Sequence, residues 1–176
     1  MKMFTIGHST RPIDEFVALL KQHDIRQLID IRTVPRSRHN PQYEQTALQK
    51  SLPKSGITYL YMKDLGGLRP KVKESANRGW HNESFRNYAD YMQTKEFSSG
   101  IAELMKYAEK LPTAIMCAEA VPWRCHRSLV GDALVVRGVD VKDIMSETST
   151  RPHTLTSFAK AQGTTITYPT DGSKEA

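Results

Sequence analysis

All the thiols of this 176-residue chain fall in one short segment, Cys117-Ala118-Glu119-Ala120-Val121-Pro122-Trp123-Arg124-Cys125-His126-Arg127. Three kinds of site can be built from these residue types. Thiolates and imidazole bind zinc, so Cys117, Cys125 and His126 could form a three-ligand set with an open fourth position. The spacing differs from the paired short spacings of zinc fingers, and neighbouring Cys125 and His126 diverge on most backbones. A second reading is a reactive thiolate. Cys125 would sit ahead of a helix N-terminus among Arg124, His126 and Arg127, all of which lower a thiol pKa. Cys117 would be the better placed nucleophile, on a rigid strand end. The third reading makes both cysteines small buried packing residues. A tyrosine-phosphatase loop is excluded, because the arginine required six positions after the nucleophile is Trp123 here.

Other segments could join this one. Gly7-His8-Ser9 suggests close backbone approach, with Ser9 at a helix start where anions bind readily. Asp30 and Arg32 flank Ile31 and share a strand face, as an internal salt bridge or as a catalytic pair. Arg32, Arg36 and Arg38 lie in one loop, and Arg69, Lys71, Lys73 and Arg78 lie in another that also carries Trp80 and His81. Guanidinium matches phosphate bidentately, and an indole beside cations suits a nucleobase.

These residues need elements to position them. Met3–Ile6 reads as a buried strand stopped by Gly7. Ser9 or Thr10 then caps a helix that Pro12 opens, carrying Phe16, Leu19, Leu20 and His23. Leu28–Ile31 is a second strand, and the following stretch with Pro35 and Pro41 fits no regular element. A helix over about Gln42–Leu52 and a strand over Ile57–Tyr61 come next. The polar stretch from Gly66 to Asn82 is of a length that is usually functional or mobile. Ser84 caps a helix with Phe85, Tyr88 and Met92, and Ile101, Leu104, Met105 and Ala108 mark another. Thr113–Cys117 is a strand, His126–Val136 a helix and Val139–Ile144 a last strand. Strands alternating with helices predict an α/β fold, a mostly parallel sheet with helices on both faces in a single domain. Residues 1–162 form that domain, and residues 163–176 form a short terminal strand and flexible tail. Ligands of such sheets bind outside the carboxyl ends of the strands, which is where His8, Arg32, Cys117 and His126 should meet.

Composition bounds the classes. Twenty-five Lys and Arg against 19 Asp and Glu leave a net charge of +6, and hydrophobic residues make up 39%. That is a globular composition, and two cysteines cannot build a disulfide scaffold. No run is long enough for a membrane span, and the opening residues lack the apolar core of a signal peptide. The expectation is a cytoplasmic protein without membrane contact. The positive excess permits a nucleotide or nucleic acid as partner.

Thr5-Ile6-Gly7-His8-Ser9, Asp30-Ile31-Arg32 with Pro35, Leu65-Gly66-Gly67 and above all Cys117-Ala118-Glu119 with Cys125-His126-Arg127 resemble the family called domain of unknown function 488. The resemblance covers about residues 3–160. It implies a compact α/β domain whose site draws on His8, Asp30, Arg32, Cys117, Glu119, Cys125, His126 and Arg127, and it supplies no roles. Chemistry supplies them. The leading expectation is an enzyme, a hydrolase or transferase acting on a nucleotide or nucleic acid. Arg32, Arg36, Ser9, Arg127 and Trp80 would bind the substrate. Cys117, Glu119, Cys125, His126, His8 and Asp30 would be catalytic. No cofactor is required, zinc being the one metal the residues could accept. The alternatives are a non-enzymatic nucleic-acid-binding module and a thiol-based redox or metal-binding protein.

Overall fold

The computed structural model describes residues 1–170, so the expected tail at 171–176 lies outside the described residues. Strands β1 (Lys2–Gly7), β2 (Gln27–Asp30), β3 (Thr58–Tyr61), β4 (Thr113–Cys117), β5 (Asp140–Ile144) and β6 (Thr150–Pro152) form one sheet in the order β3-β2-β4-β1-β5-β6. The first five strands are parallel to their neighbours, and β6 closes the edge antiparallel to β5. β4, fully buried as Thr-Ala-Ile-Met-Cys, lies between β2 and β1. Its uninterrupted apolar run suits a strand covered on both faces.

Two cores cover those faces. Helices α1 (Ile13–Gln22) and α2 (Gln45–Lys54) bury Phe16, Leu19, Leu20, Leu48 and Leu52 against one face. Helices α3 (Glu83–Tyr91), α4 (Lys95–Lys110) and α5 (Arg127–Val135) bury Tyr88, Phe97, Ile101, Leu104, Leu129 and Leu134 against the other. The architecture is therefore mixed α/β, with a mostly parallel sheet and helices on both sides. No helix among the described residues is long and apolar enough to cross a membrane.

Local signals differ from the expectations in two places. Neither Ser9 nor Thr10 caps α1, whose N-cap is Pro12 without a side-chain bond. Asn82 rather than Ser84 caps α3, by accepting from the Phe85 amide. An Asn acceptor fits this role as well as Ser does, and it stands at the residue where the helical dihedrals begin.

The long stretch between Leu65 and Glu83 has no helix or strand but is held at several points. Asn77, fully buried, donates to Asp90 and accepts from the Tyr168 amide. Trp80 packs edge-on against Phe85 and Phe158 and beside Tyr168. Strands β7 (Lys160–Gln162) and β8 (Thr165–Thr167) make a hairpin across the 162/163 division, and Ile166 and Tyr168 enter the same core as α5. Asp132 of α5 fastens this segment. Its carboxylate accepts from the Thr156 amide and hydroxyl, the Tyr168 hydroxyl and His153 Nε2.

A fully buried carboxylate with four donors leaves all four unpaired when it is removed. Asp132→Ala should therefore cost about 3 kcal/mol or more in urea unfolding, against about 1 kcal/mol for Tyr168→Phe, which removes a single donor. Equal, sub-kilocalorie effects of the two changes would show that the C-terminal segment is held by apolar packing alone.

Candidate active site at the carboxyl edge of the sheet

The strand register brings the separated motifs together. Gly7 pairs with Cys117, and the ladder continues past both strand ends, as His8 N donates to Cys117 O and Ser9 N to Ala118 O, each at 2.9 Å. On the other side of β4, Ile31 N donates to Met116 O. The loop leaving β4 then turns across β1 so closely that a Cβ on Gly7 would lie 1.8 Å from the Glu119 carbonyl oxygen. Only glycine permits that approach. His8, Arg32, Cys117 and His126 thus share one edge of the sheet.

Arg127, at the start of α5, decides the electrostatics. It is fully buried, yet its guanidinium has no carboxylate partner among the described residues. Its Nη2 donates to Ala120 O at 3.0 Å, its Nη1 lies 3.6 Å from Cys117 Sγ, and its Nε has no partner. A buried cation without a counter-charge is costly, and the ionisable side chain that its guanidinium contacts among the described residues is the Cys117 thiol. Burial alone would raise that thiol's pKa. The hydrogen bond from Cys125, the Arg127 charge and the Glu119 backbone outweigh burial and bring Cys117 below the ordinary value. Cys125 is driven the other way, well above its ordinary value, by burial and by its bond to Cys117. Within the pair Cys117 is the more acidic thiol and Cys125 the less acidic one. This reverses the expectation that Cys125 is the activated thiol: a nearby helix start counts for less than direct contact with a buried guanidinium.

The two histidines are neutral. His126 Nε2 donates to Ile31 O at 2.9 Å, while its Nδ1 lies 3.5 Å from Cys125 Sγ. A Cβ on Gly67 would stand 2.6 Å from that Nδ1, so the glycine admits the ring. His8 stacks on Tyr43 with centroids 4.0 Å apart and holds its Nδ1 at 2.7 Å from Ser9 O. Burial brings the pKa of each down to about 4. The Nε2 of His8 is buried without a partner among the described residues.

Asp30 and Arg32 make the internal salt bridge. Arg32 Nε and Nη2 donate to the two carboxylate oxygens at 2.9 and 2.7 Å, and Tyr59 donates to Oδ2 at 2.6 Å. Fully buried Asp30 is thereby occupied on both oxygens and acts as a holder of Arg32. Arg32 reaches the wall of a cavity of about 340 Å³ that also presents Cys117, Cys125, Glu119, Arg124 and His126, with Phe85 and Leu68 as apolar wall.

Several expected binding residues stand apart from this cavity. Arg36 is exposed and lines a separate depression with Glu44 and Tyr61. Ser9 sits in a turn with φ 53°, three residues ahead of Pro12, the N-cap of α1, and not at the helix start. Trp80 packs against Phe85, Phe158 and Tyr168 and borders a different cavity, with Pro152 and His153. Arg127 lies beneath Cys117 and cannot reach a bound anion directly. Among the described residues no three His, Cys, Asp or Glu side chains group as a metal site.

The sequence pattern described as Domain of unknown function DUF488 matches residues 12–134, more than half of the chain. The chain belongs to the DUF488 family. Comparison with curated proteins and with solved structures gives no match. The matched stretch contains the whole Cys117–Arg127 segment, whereas His8 and Ser9 precede it.

Sequence reasoning missed three contributors in this DUF488 domain. Arg124 was noted only as local positive charge, and it lines the cavity. Tyr43 and Tyr59 were read as unremarkable helix and strand residues, and they clamp His8 and Asp30. An alternating strand pattern places Tyr59 on a face but cannot reveal a partner far away in the chain.

The histidines set a pH dependence. Unfolded, they protonate near pH 6.5, and folded they stay neutral down to about 4, so the unfolded chain binds protons first. Stability should be complete above about pH 6.5 and fall toward pH 4, by about 1.4 kcal/mol per pH unit for each histidine. Urea midpoints across that range should show this slope, reduced in His126→Gln. A flat profile would mean that both rings are charged in the fold.

Proposed function

We propose that this DUF488 domain is a cysteine-dependent enzyme, a hydrolase or transferase with Cys117 as nucleophile and a phosphate-bearing substrate. The observation that carries this reading is the buried guanidinium of Arg127, which lacks a carboxylate partner among the described residues and lies 3.6 Å from the Cys117 sulfur. A thiol made more acidic beside that charge and fixed at a strand end is the better nucleophile of the two. Arg124 reaches the cavity with no ion pair among the described residues and matches a phosphate group, while Arg32, held by Asp30, stands at the cavity wall. Phe85 and Leu68 on its wall suit the organic part of a nucleotide, in the role expected of Trp80.

In the reaction so envisaged, Cys117 Sγ attacks the phosphorus and displaces an oxygen leaving group. Glu119, exposed on the cavity wall, is the general acid that gives that oxygen its proton. Water or a second acceptor then takes the phosphoryl group from sulfur, with Glu119 now removing the proton. His126, neutral and bonded to Ile31 O, is a positioning residue for the cysteine pair.

Iodoacetamide alkylation followed by peptide mass spectrometry tests this reading. Cys117 should react with an inflection below the ordinary thiol pKa, and Arg127→Lys should retain more of that reactivity than Arg127→Met. Pyrophosphate and a nucleoside monophosphate should protect Cys117 saturably. Arg124→Ala should raise the protecting concentration about tenfold, the worth of one charge-assisted contact. Alkylation indifferent to both anions would refute the phosphate-bearing substrate. Oligonucleotide binding that survives complete alkylation would favour a binding module instead.

A further inference from the structure

The proposed phosphoryl chemistry leaves Cys125 without a covalent part, although it is buried directly against the nucleophile. Both cysteines are free, both border the cavity, and they are 2% and 7% exposed. Cys117 Sγ lies 3.6 Å from the guanidinium of Arg127, two residues after Cys125, and each thiol shifts the other's titration, so the two sulfurs meet on one side of the cavity. The segment between them is a loop with a single helical turn, Pro122–Arg124, and not a rigid strand or helix. A disulfide needs the sulfurs to close to about 2.05 Å with the Cβ atoms about 3.8 Å apart. Closure would draw on this loop rather than on the strand, because Cys117 is paired in the sheet whereas Cys125 follows the single turn.

We infer that Cys117 and Cys125 are a dithiol site for small hydroperoxides, forming a reversible disulfide inside the cavity. The inference rests on Cys117 being the thiolate of the proposed enzyme, but it does not depend on the substrate. In the first step Cys117 S⁻ attacks one oxygen of the hydroperoxide. A sulfur–oxygen bond forms, the O–O bond breaks, and the departing alkoxide or hydroxide takes a proton from water. Cys125 then attacks the Cys117 sulfenic sulfur. The sulfur–sulfur bond forms, and the hydroxyl leaves as water with the Cys125 proton. The two sulfurs give up two electrons, and the peroxide is reduced. A small thiol restores the pair by exchange.

The geometry also sets a size limit. With both sulfurs buried at the cavity floor, hydrogen peroxide reaches Cys117 while bulky aromatic disulfide reagents do not. Cys125 protects its neighbour, because a sulfenic acid resolved at once to a disulfide is not oxidised further to the irreversible sulfinic acid.

The full chain, treated with hydrogen peroxide, quenched with N-ethylmaleimide and digested with trypsin without reduction, provides the test. Arg124 lies between the two cysteines, so trypsin separates them and an internal disulfide appears as Cys125-His126-Arg127 linked to the peptide that carries Cys117. The expected result is this linked pair, loss of both alkylatable thiols, and full return of both with dithiothreitol. In Cys125→Ser, Cys117 should instead give a sulfenic acid trapped by dimedone, and irreversible oxidation should rise about tenfold at equal peroxide. Cys117→Ser should leave Cys125 unmodified. Sulfinic Cys117 beside a free Cys125 in the unaltered chain, disulfides between chains, or two thiols untouched by peroxide would each overturn the inference. Pyrophosphate protection is read separately from these thiol products. A disulfide without protection therefore removes the phosphate reading alone, and protection without a disulfide removes this one alone.

Discussion

A guanidinium buried without a carboxylate is the constraint around which this edge of the sheet is arranged. Arg127 begins α5 inside the protein, where an uncompensated charge would outweigh most of what packing contributes. The fold meets it with one carbonyl, Ala120 O, and one sulfur, Cys117. One acceptor ends β4 and the other lies on the loop from β4 to α5, so the start of that loop turns around the cation. Gly7 is part of the same arrangement, since β1 must let the Glu119 backbone pass at a distance no side chain allows.

Four arginines near the cavity show how differently one side-chain type can be used. Arg32 is locked by Asp30 in a forked pair, its Nη2 donates also to Tyr43 O, and Tyr59 donates to the same Asp30 carboxylate. Arg69 lies over the Tyr91 ring at 3.6 Å and donates to the carbonyls of Lys63, Asp64 and Gly66. Arg127 polarises a thiol. Arg124 alone is exposed on the cavity wall with no ion pair among the described residues. The local positive charge is therefore mostly structural, and the part that can meet a ligand is smaller than the count of basic residues suggests. Side-chain placement, not net charge, determines it.

Helix α5 connects this chemistry to the rest of the molecule. Its first residue contacts the Cys117 sulfur, and one turn and a half later Asp132 holds His153, Thr156 and Tyr168. Those contacts in turn support Asn77 and Trp80, which order the long polar stretch whose beginning, at Gly67, admits the His126 ring. A buried polar network of this sort keeps a segment without helix or strand in one conformation, because every alternative leaves donors unpaired. The stretch reads as mobile in the sequence for want of any local element, and it is ordered by partners far along the chain.

The sequence by itself determined the alternation of strands and helices, the parallel sheet with two covered faces, and the edge at which the motifs gather. Apolar runs and their periods encode those features locally, and Gly7, Pro12 and Pro35 mark the breaks. The pairing of Asp30 with Arg32 was also legible, since two residues one apart on a strand share a face. Tertiary structure alone decided which thiol is the more acidic, since that depends on how the two cysteines meet and on the Arg127 guanidinium lying 3.6 Å from the Cys117 sulfur. It likewise decided that Trp80 belongs to a core cluster, that Arg36 faces away, and that Arg124 faces in. Burial, counter-charge and the directions of side chains arise only when distant segments meet, and a composition or a spacing holds no record of them.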